Sequence, residues 1–169
     1  NSSFGVCATP DHVYLASGDS GLEIFDIGAS VQPRQVGQVL MKQTRDMALS
    51  GDYAYVADGW NGFKIFDVSN PSNPVKTGEI TDLNCEVLGV AVRDTYAYLG
   101  CHDQGFTVVD VQDPSAPALV TTLAETGYEY LYVLVDRDFA YVRGREESWG
   151  NDGLLIINIS SPANPVHQG

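Results

Sequence analysis

The stretch GDYAYVADGWNGFKIFDVSNPSNP, residues 51–74, contains two short runs in which apolar and polar residues alternate. An alternation with a period of two predicts β-strands, here over residues 53–57 and 63–68. Asp58-Gly59 interrupts the pattern between them, and two prolines end it because proline cannot donate a hydrogen bond to a strand ladder. The stretch therefore predicts a β-hairpin followed by a proline-rich turn.

Closely similar text occurs four times along the chain. One tyrosine marks the second predicted strand of each copy, and these tyrosines lie 41 to 43 residues apart, at Tyr14, Tyr55, Tyr98 and Tyr141. A glycine-led run with one apolar pattern follows each tyrosine, at 21–27, 62–68, 105–111 and 153–159. The sixth residue of each run stands seven positions before a proline, in the pairs Asp26/Pro33, Asp67/Pro74, Asp110/Pro117 and Asn158/Pro165. Three kinds of agreement in all four copies identify an internal repeat.

Each copy predicts four short strands. In the second copy they cover 46–50, 53–57, 63–68 and 75–80. Four antiparallel strands in about 42 residues are typical of one blade of a β-propeller. We therefore predict an all-β fold, a single propeller domain over residues 1–169. Its four four-stranded antiparallel blades are predicted at approximately 4–41, 46–81, 86–123 and 130–169.

The repeat resembles a known family. The phrases YAYVADGWNGFKIFDVSNPSNP and GFTVVDVQDPSAP are similar to the LVIVD repeat, a propeller repeat of bacteria and archaea. The third-strand motifs EIFDI, KIFDV, TVVDV and LIINI carry the resemblance. It implies a cell-surface or secreted protein and little about function, since the role of most members is unknown. The fourth copy departs from the pattern at Asn158 and in a longer loop, 143–153.

The acid that ends the third strand has a structural interpretation. A carboxylate at this point can accept hydrogen bonds from backbone N–H groups of the following turn. Four equivalent acids placed blade by blade also lack the asymmetry of a catalytic set. Asp67 and its equivalents are therefore predicted to hold turns.

Ring closure admits three arrangements. The chain could form a compact four-bladed ring, pair with a second copy in an eight-bladed ring, or belong to a larger propeller. An open half-ring would leave two apolar blade faces in water. Four-bladed closure requires about 90° between neighbouring blades, which is steep for packed sheets. We expect a homodimer that completes an eight-bladed ring.

The charge balance restricts the classes of partner. With 22 acidic and 9 basic residues, the formal net charge is −13. Such a chain repels nucleic acid phosphates and anionic lipid, so neither is an expected partner. No apolar run approaches the roughly 18 residues that span a bilayer. We expect an extracellular, cell-surface or periplasmic protein without membrane insertion.

The three cysteines, Cys7, Cys85 and Cys101, allow at most one internal disulfide. With a turn at Arg93-Asp94, Cys85 would face His102 and Cys101 would face Glu86. A Cys85–Cys101 bond would then require a β-bulge. A zinc site of Cys85, His102 and Asp103 lacks the usual CxxC or HxxxH spacing. No cofactor is expected, although loop oxygens could bind a divalent cation weakly.

Function is expected on one end of the ring, where the loops between strands two and three emerge beside the links between blades. The candidate ligand-binding residues there combine aromatic rings with carboxylates and an amide, at Asp58, Trp60, Asn61, Asp103, Tyr128, Tyr130, Trp149 and Asp152. Aromatic faces stack on sugar C–H groups, and acids bind hydroxyls. The same residues suit a cationic ligand or peptide through cation–π contact and charge. Asp and Asn are also ordinary turn residues. No catalytic motif is present.

These features favour a non-catalytic module that binds a protein or glycan. Two alternatives stay open. A polysaccharide hydrolase or lyase would need two loop carboxylates about 5–10 Å apart across a cleft. A purely structural repeat would need no ligand at all.

Overall fold

The computed structural model describes residues 5–28, 32–102, 104–124, 128–146 and 152–168, and within them it contains sixteen β-strands. Blade 1 is formed by β1 (Gly5–Ala8), β2 (His12–Ala16), β3 (Leu22–Asp26) and β4 (Arg34–Val39). Blade 2 is formed by β5 (Asp46–Ser50), β6 (Tyr53–Ala57), β7 (Phe63–Asp67) and β8 (Val75–Ile80). Blade 3 is formed by β9 (Val87–Arg93), β10 (Tyr96–Cys101), β11 (Gly105–Asp110) and β12 (Ala118–Leu123). Blade 4 is formed by β13 (Tyr128–Asp136), β14 (Phe139–Glu146), β15 (Asp152–Asn158) and β16 (Val166–His167).

In every blade the four strands pair antiparallel in chain order. The first strands lie side by side, β1 against β5, β5 against β9 and β9 against β13. They line a trough of about 330 Å³ to which all four blades contribute. The predicted all-β propeller of four four-stranded antiparallel blades is therefore confirmed. No helix that could cross a membrane occurs in the part of the chain that the structure describes.

The hydrophobic core is divided among the seams between blades. Each blade has a tyrosine face, which carries the repeated tyrosine, and an opposite face. Tyr14 on blade 1 packs with Met47 and Phe66 on the opposite face of blade 2. The tyrosine faces of blades 2 and 3 pack in the same way on the opposite faces of blades 3 and 4. Each fully buried large side chain contributes roughly 1.5–3 kcal/mol of apolar burial, so these seams dominate stability.

The predicted role of the acid after strand three is confirmed in all four blades. Asp67 accepts a hydrogen bond from the Ser69 N–H at 2.9 Å. Asp26, Asp110 and Asn158 accept equivalent bonds from the residue two positions on, at 2.9, 2.8 and 2.9 Å. Asn158 can take the place of aspartate here because its amide oxygen is also a hydrogen-bond acceptor.

The predicted register of β9 and β10 is wrong, because the turn between the two strands lies one residue later than predicted. The turn residues are Asp94 and Thr95, because Arg93 pairs with Tyr96, and Asp94 takes a left-handed φ of 54°. A bulge lies at Gly100/Cys101, the feature that a Cys85–Cys101 bond was expected to require. The Cα atoms of Cys85 and Cys101 are 5.5 Å apart, and the two residues form a disulfide. Cys85 is therefore not available to bind zinc with His102, and Cys7 is the free cysteine.

Gly78→Ala is expected to lower the free energy of unfolding by about 1–3 kcal/mol. Gly78 lies in the outer strand of blade 2, where a Cβ atom would overlap the carbonyl oxygen of Pro114 in the next blade. Because that oxygen belongs to the backbone, relief requires the blades to separate. Urea unfolding measures the change. Gly153→Ala is the control, since a Cβ at Gly153 meets open space; equal losses in both variants would contradict the seam interpretation.

Candidate functional site

In blades 1 and 2, the loop between the second and third strands meets the link to the next blade, as predicted. In blade 1, Gly18 of the β2–β3 loop forms an isolated β-bridge with Thr44 in the link to blade 2. In blade 2, Gly59 forms the same kind of bridge with Val87, whose N–H donates to the Gly59 carbonyl at 3.0 Å. We call this end of the ring the loop face. Each such bridge attaches a loop to the following blade or to its link, so the blades hold the loops of this face in place.

Trp60 stands on the loop face at the tip of the β6–β7 loop. Its indole is 56% exposed, although its backbone N–H donates to the Gln43 side-chain oxygen at 3.0 Å. Beside it lies a groove of about 490 Å³ between this loop and the link that follows β4. We call it the Trp60 groove; its lining includes Leu40, Met41, Lys42, Trp60, Asn61 and Lys64.

Asp58 supports the groove from inside. The residue is buried, and its carboxylate forms an ion pair with Lys64. One carboxylate oxygen also accepts hydrogen bonds from the Gln43 N–H at 3.2 Å and the Thr44 hydroxyl at 3.4 Å. Lys64 in turn donates to the carbonyl oxygen of Asn61 at 3.1 Å. Asp58 therefore fixes the shape of the loop, and we do not retain it among the groups that would contact a ligand.

The lining of the groove combines apolar and polar side chains. Leu40 is 77% exposed, and Met41 is buried. Lys42 and the Asn61 side chain are exposed. The chain as a whole is acidic, yet the exposed charged side chain on the groove lining is that of Lys42. This arrangement suits an apolar side chain with an acidic or hydroxyl-bearing neighbour.

The candidates in blade 4 do not join this groove. Tyr130 is buried in the core between blades 3 and 4, so the prediction of an exposed ring there is wrong. A bulge between Tyr130 and Tyr132 determines which face each ring occupies. Tyr128 is exposed at the start of β13. Asp152 is bound to Arg143 at 2.9 Å, and this hydrogen bond and charge hold the pKa of Asp152 below its usual value.

Two predicted residues, Asp103 and Trp149, lie outside the described residues. The structure therefore brings Asp58, Trp60 and Asn61 together and places Tyr128 and Asp152 elsewhere. In the described ranges, no group of three His, Cys, Asp or Glu side chains is arranged to hold a metal ion. The expectation that no cofactor is needed remains a prediction.

The sequence interpretation missed Leu40 and Lys42, and it also missed a cluster of arginines. Arg45, Arg143 and Arg145 line a cavity of about 230 Å³. Arg45 pairs with Glu86 at 2.7 Å and Arg145 with Glu129 at 3.7 Å. The one signal in the sequence is that these are three of only nine basic residues.

The fold has counterparts among solved structures. The computationally designed Ika4 protein superposes with a TM-score of 0.68 at 10% identity, over 91% of this chain and 90% of that chain. The computationally designed Ika8 protein gives a TM-score of 0.67 at 9% identity, over 94% of this chain and 55% of that chain. A chain in the S. cerevisiae complex of Dbp5 L327V bound to Nup159, Gle1 H337R, IP6 and ADP gives 0.62 at 13% identity, over 96% and 46%. These identities show the fold alone, and this chain spans about half the length of the last two.

The sequence itself matches one family. No curated protein sequence matches the chain. A family profile described as the LVIVD repeat matches residues 42–82, 86–124 and 132–169, which together exceed half of the chain. The three matches correspond to blades 2, 3 and 4, and blade 1 has the same strand order. The chain therefore belongs to the LVIVD-repeat family.

Proposed function

We propose that this protein is a non-catalytic interaction module that binds a ligand in the Trp60 groove. The observation that carries the proposal is the pairing of an exposed indole with a rigid support. Gln43 binds the Trp60 backbone, and the buried Asp58–Lys64 pair holds the rest of the loop. A preorganised tryptophan loses little entropy on binding, and tryptophan is enriched at the energetic centres of interfaces.

The chemistry of the groove favours a protein segment as the ligand. Leu40 and Trp60 offer two apolar surfaces, and Lys42 on the same lining offers a positive charge. An exposed peptide segment with an apolar side chain next to an acid fits this combination. A glycan could stack on the indole and bind the Asn61 amide, but it would leave Leu40 uncovered.

Hydrolysis of a polysaccharide is less well supported. General acid or base catalysis requires a carboxyl group within hydrogen-bond reach of the substrate. Asp58 is the acidic residue on the described lining of the groove, and it is buried in an ion pair. A purely structural role does not account for two exposed apolar side chains, Leu40 and Trp60, on the lining of one groove.

An extracellular, cell-surface or periplasmic location forms part of the proposal. The Cys85–Cys101 disulfide supports it, because such bonds persist in oxidising compartments and are rare in the cytosol of most organisms.

Trp60→Ala is expected to weaken ligand binding by about 30-fold or more, the effect of losing an interface hot spot. The free energy of unfolding should change by less than about 1 kcal/mol, since the indole is mostly exposed. Peptide and glycan arrays probed with the parent protein identify the ligand class, and titration calorimetry with a positive probe measures the affinity. Blank arrays, or equal affinity of the variant, would contradict the proposal.

Leu119→Ala serves as the matched control. Leu119 is 55% exposed, as Trp60 is, but lies on the outer strand β12 of another blade. The control should bind like the parent. A separate Trp149→Ala variant tests whether the second tryptophan contributes to binding.

A further inference from the structure

Blades 1 and 4, the first and last in the chain, each have one face that no other blade covers in the described part of the structure. Within the described residues, β13 and β1 make at most isolated contacts with each other, whereas every other pair of neighbouring first strands packs together. The tyrosine face of blade 4 and the opposite face of blade 1 are therefore left over. Each is the repeat equivalent of a face that is buried elsewhere in the same chain.

The tyrosine face of blade 4 shows this most clearly at Leu154, which is 62% exposed. The equivalent residues of blades 1, 2 and 3, namely Leu22, Phe63 and Phe106, are fully buried. Ile156 is partly exposed, whereas Ile24, Ile65 and Val108 at the same position are fully buried.

The opposite face of blade 1 shows the same difference. Val6 is 67% exposed, but its equivalents Met47, Val90 and Val133 are buried. Val13 and Leu15 are partly exposed, and the residues at their positions in the other blades are fully buried.

The composition of these faces is close to that of the buried seams between blades. Terminal units of repeat proteins that end in water carry polar outer faces. Here both terminal faces keep most of the apolar residues of an internal seam. The departure is Arg143, which stands where blades 1 and 2 have the buried Ala16 and Ala57, and its charge is paired with Asp152. On blade 1, Glu23 accepts a hydrogen bond from Gln35. An apolar centre with a polar rim is the usual anatomy of a protein interface.

We propose that a second copy of this chain covers both faces, and that two chains close one eight-bladed ring. The tyrosine face of blade 4 in each copy packs on the opposite face of blade 1 in the other. Both seams repeat the geometry that the chain already uses three times internally. A two-fold axis generates both seams at once, so the assembly closes and does not grow into a filament.

A longer designed chain accommodates four blades in this arrangement. The chain superposes on 55% of the computationally designed Ika8 chain with a TM-score of 0.67. In the closed dimer the trough along the first strands becomes a channel lined by both copies. The Trp60 groove lies away from both terminal faces, so failure of ring closure and failure of ligand binding are separable.

Light scattering after gel filtration tests the proposal on the parent chain and on variants of both faces. The parent is expected to have the mass of two chains. Leu154→Asp and Val6→Asp should each give the mass of one chain, because each breaks both seams. Both side chains are mostly exposed in one chain, so the circular dichroism spectrum should not change. Leu119→Asp changes a leucine on β12 that is also mostly exposed, and this variant should remain dimeric.

Mixing the two face variants discriminates between pairing modes. A Leu154→Asp chain and a Val6→Asp chain can form one intact seam, between blade 4 of the second and blade 1 of the first. The mixture should therefore contain more dimer than either variant alone. A single-chain mass for the parent would overturn the proposal, as would larger open assemblies. A dimer that survives Val6→Asp would show that blade 4 faces pair with each other, and would also overturn it.

Discussion

Removing the disulfide between Cys85 and Cys101 is expected to lower the free energy of unfolding by about 3 kcal/mol. The two residues are 16 positions apart, and the bond closes a loop that contains the whole of β9 and most of β10. Closing such a loop reduces the entropy of the unfolded chain. Both residues are also buried in the seam between blades 2 and 3, where their side chains contribute to packing.

The bond also lies close to the candidate site. Cys85 is two residues before Val87, which donates to the carbonyl of Gly59 in the Trp60 loop. Loss of the bond should therefore loosen the support of Trp60 and weaken ligand binding as well as lower stability.

Three forms of the protein check this expectation by urea unfolding. They are the oxidised parent, the parent with a reductant, and the Cys85→Ala/Cys101→Ala variant. Cys7→Ala is the control and should respond to the reductant as the parent does, because Cys7 is outside the bond. Identical midpoints with and without the reductant would contradict the prediction.

The fold could be predicted because its signals are local and are repeated. Strand alternation, the glycine-led run and the proline turn each act within a few residues. The hydrogen bond from the turn to Asp67 spans only two positions, so the chemistry of the neighbouring residues was sufficient to predict it. Four copies of the same pattern then required one shape for every blade.

The site could be predicted only in part, because burial depends on contacts between distant residues. The sequence predicts Asp58 and Tyr130 as surface groups, yet Asp58 is buried in its ion pair with Lys64 and Tyr130 in the core between blades 3 and 4. The pairing of Cys85 with Cys101 does not follow from strand register, because Cys85 lies before β9 and so outside the ladder. The bulge at Gly100/Cys101 does not follow from alternation alone either.

The second large effect is a change in the free energy of unfolding with pH, and we expect it from Asp46 at the start of β5. One of its carboxylate oxygens accepts a hydrogen bond from the Val90 N–H at 3.0 Å, across the seam between blades 2 and 3. The other accepts from the Met47 N–H at 2.8 Å. Burial raises the pKa of Asp46 from 3.8 to about 6, and these two hydrogen bonds lower it only in part. The folded protein therefore holds the proton of Asp46 more tightly than the unfolded chain does.

The sign of the pH effect follows from this difference. Below pH 3.8 Asp46 is protonated in both states, and its contribution to stability is fully present. Between 3.8 and about 6 the folded state binds more protons, so the contribution falls as the pH rises. Above about pH 6 the contribution is lost, and burial of the carboxylate costs about 2–3 kcal/mol relative to the protonated form.

Asp46→Asn is expected to remove this dependence, because an amide keeps the shape and does not titrate. The measured quantity is the difference in free energy of unfolding between parent and variant from pH 4 to 8, at one protein concentration. Taking the difference cancels the contributions of the other acids, which both proteins share. The parent should lose about 2–3 kcal/mol relative to the variant between pH 4 and 7. Asp136→Asn, an exposed acid at the end of β13, makes the same change of net charge without the burial. If Asp136→Asn reproduces the effect, or the Asp46→Asn difference stays constant with pH, then net charge governs the pH dependence and the buried carboxylate at the seam does not.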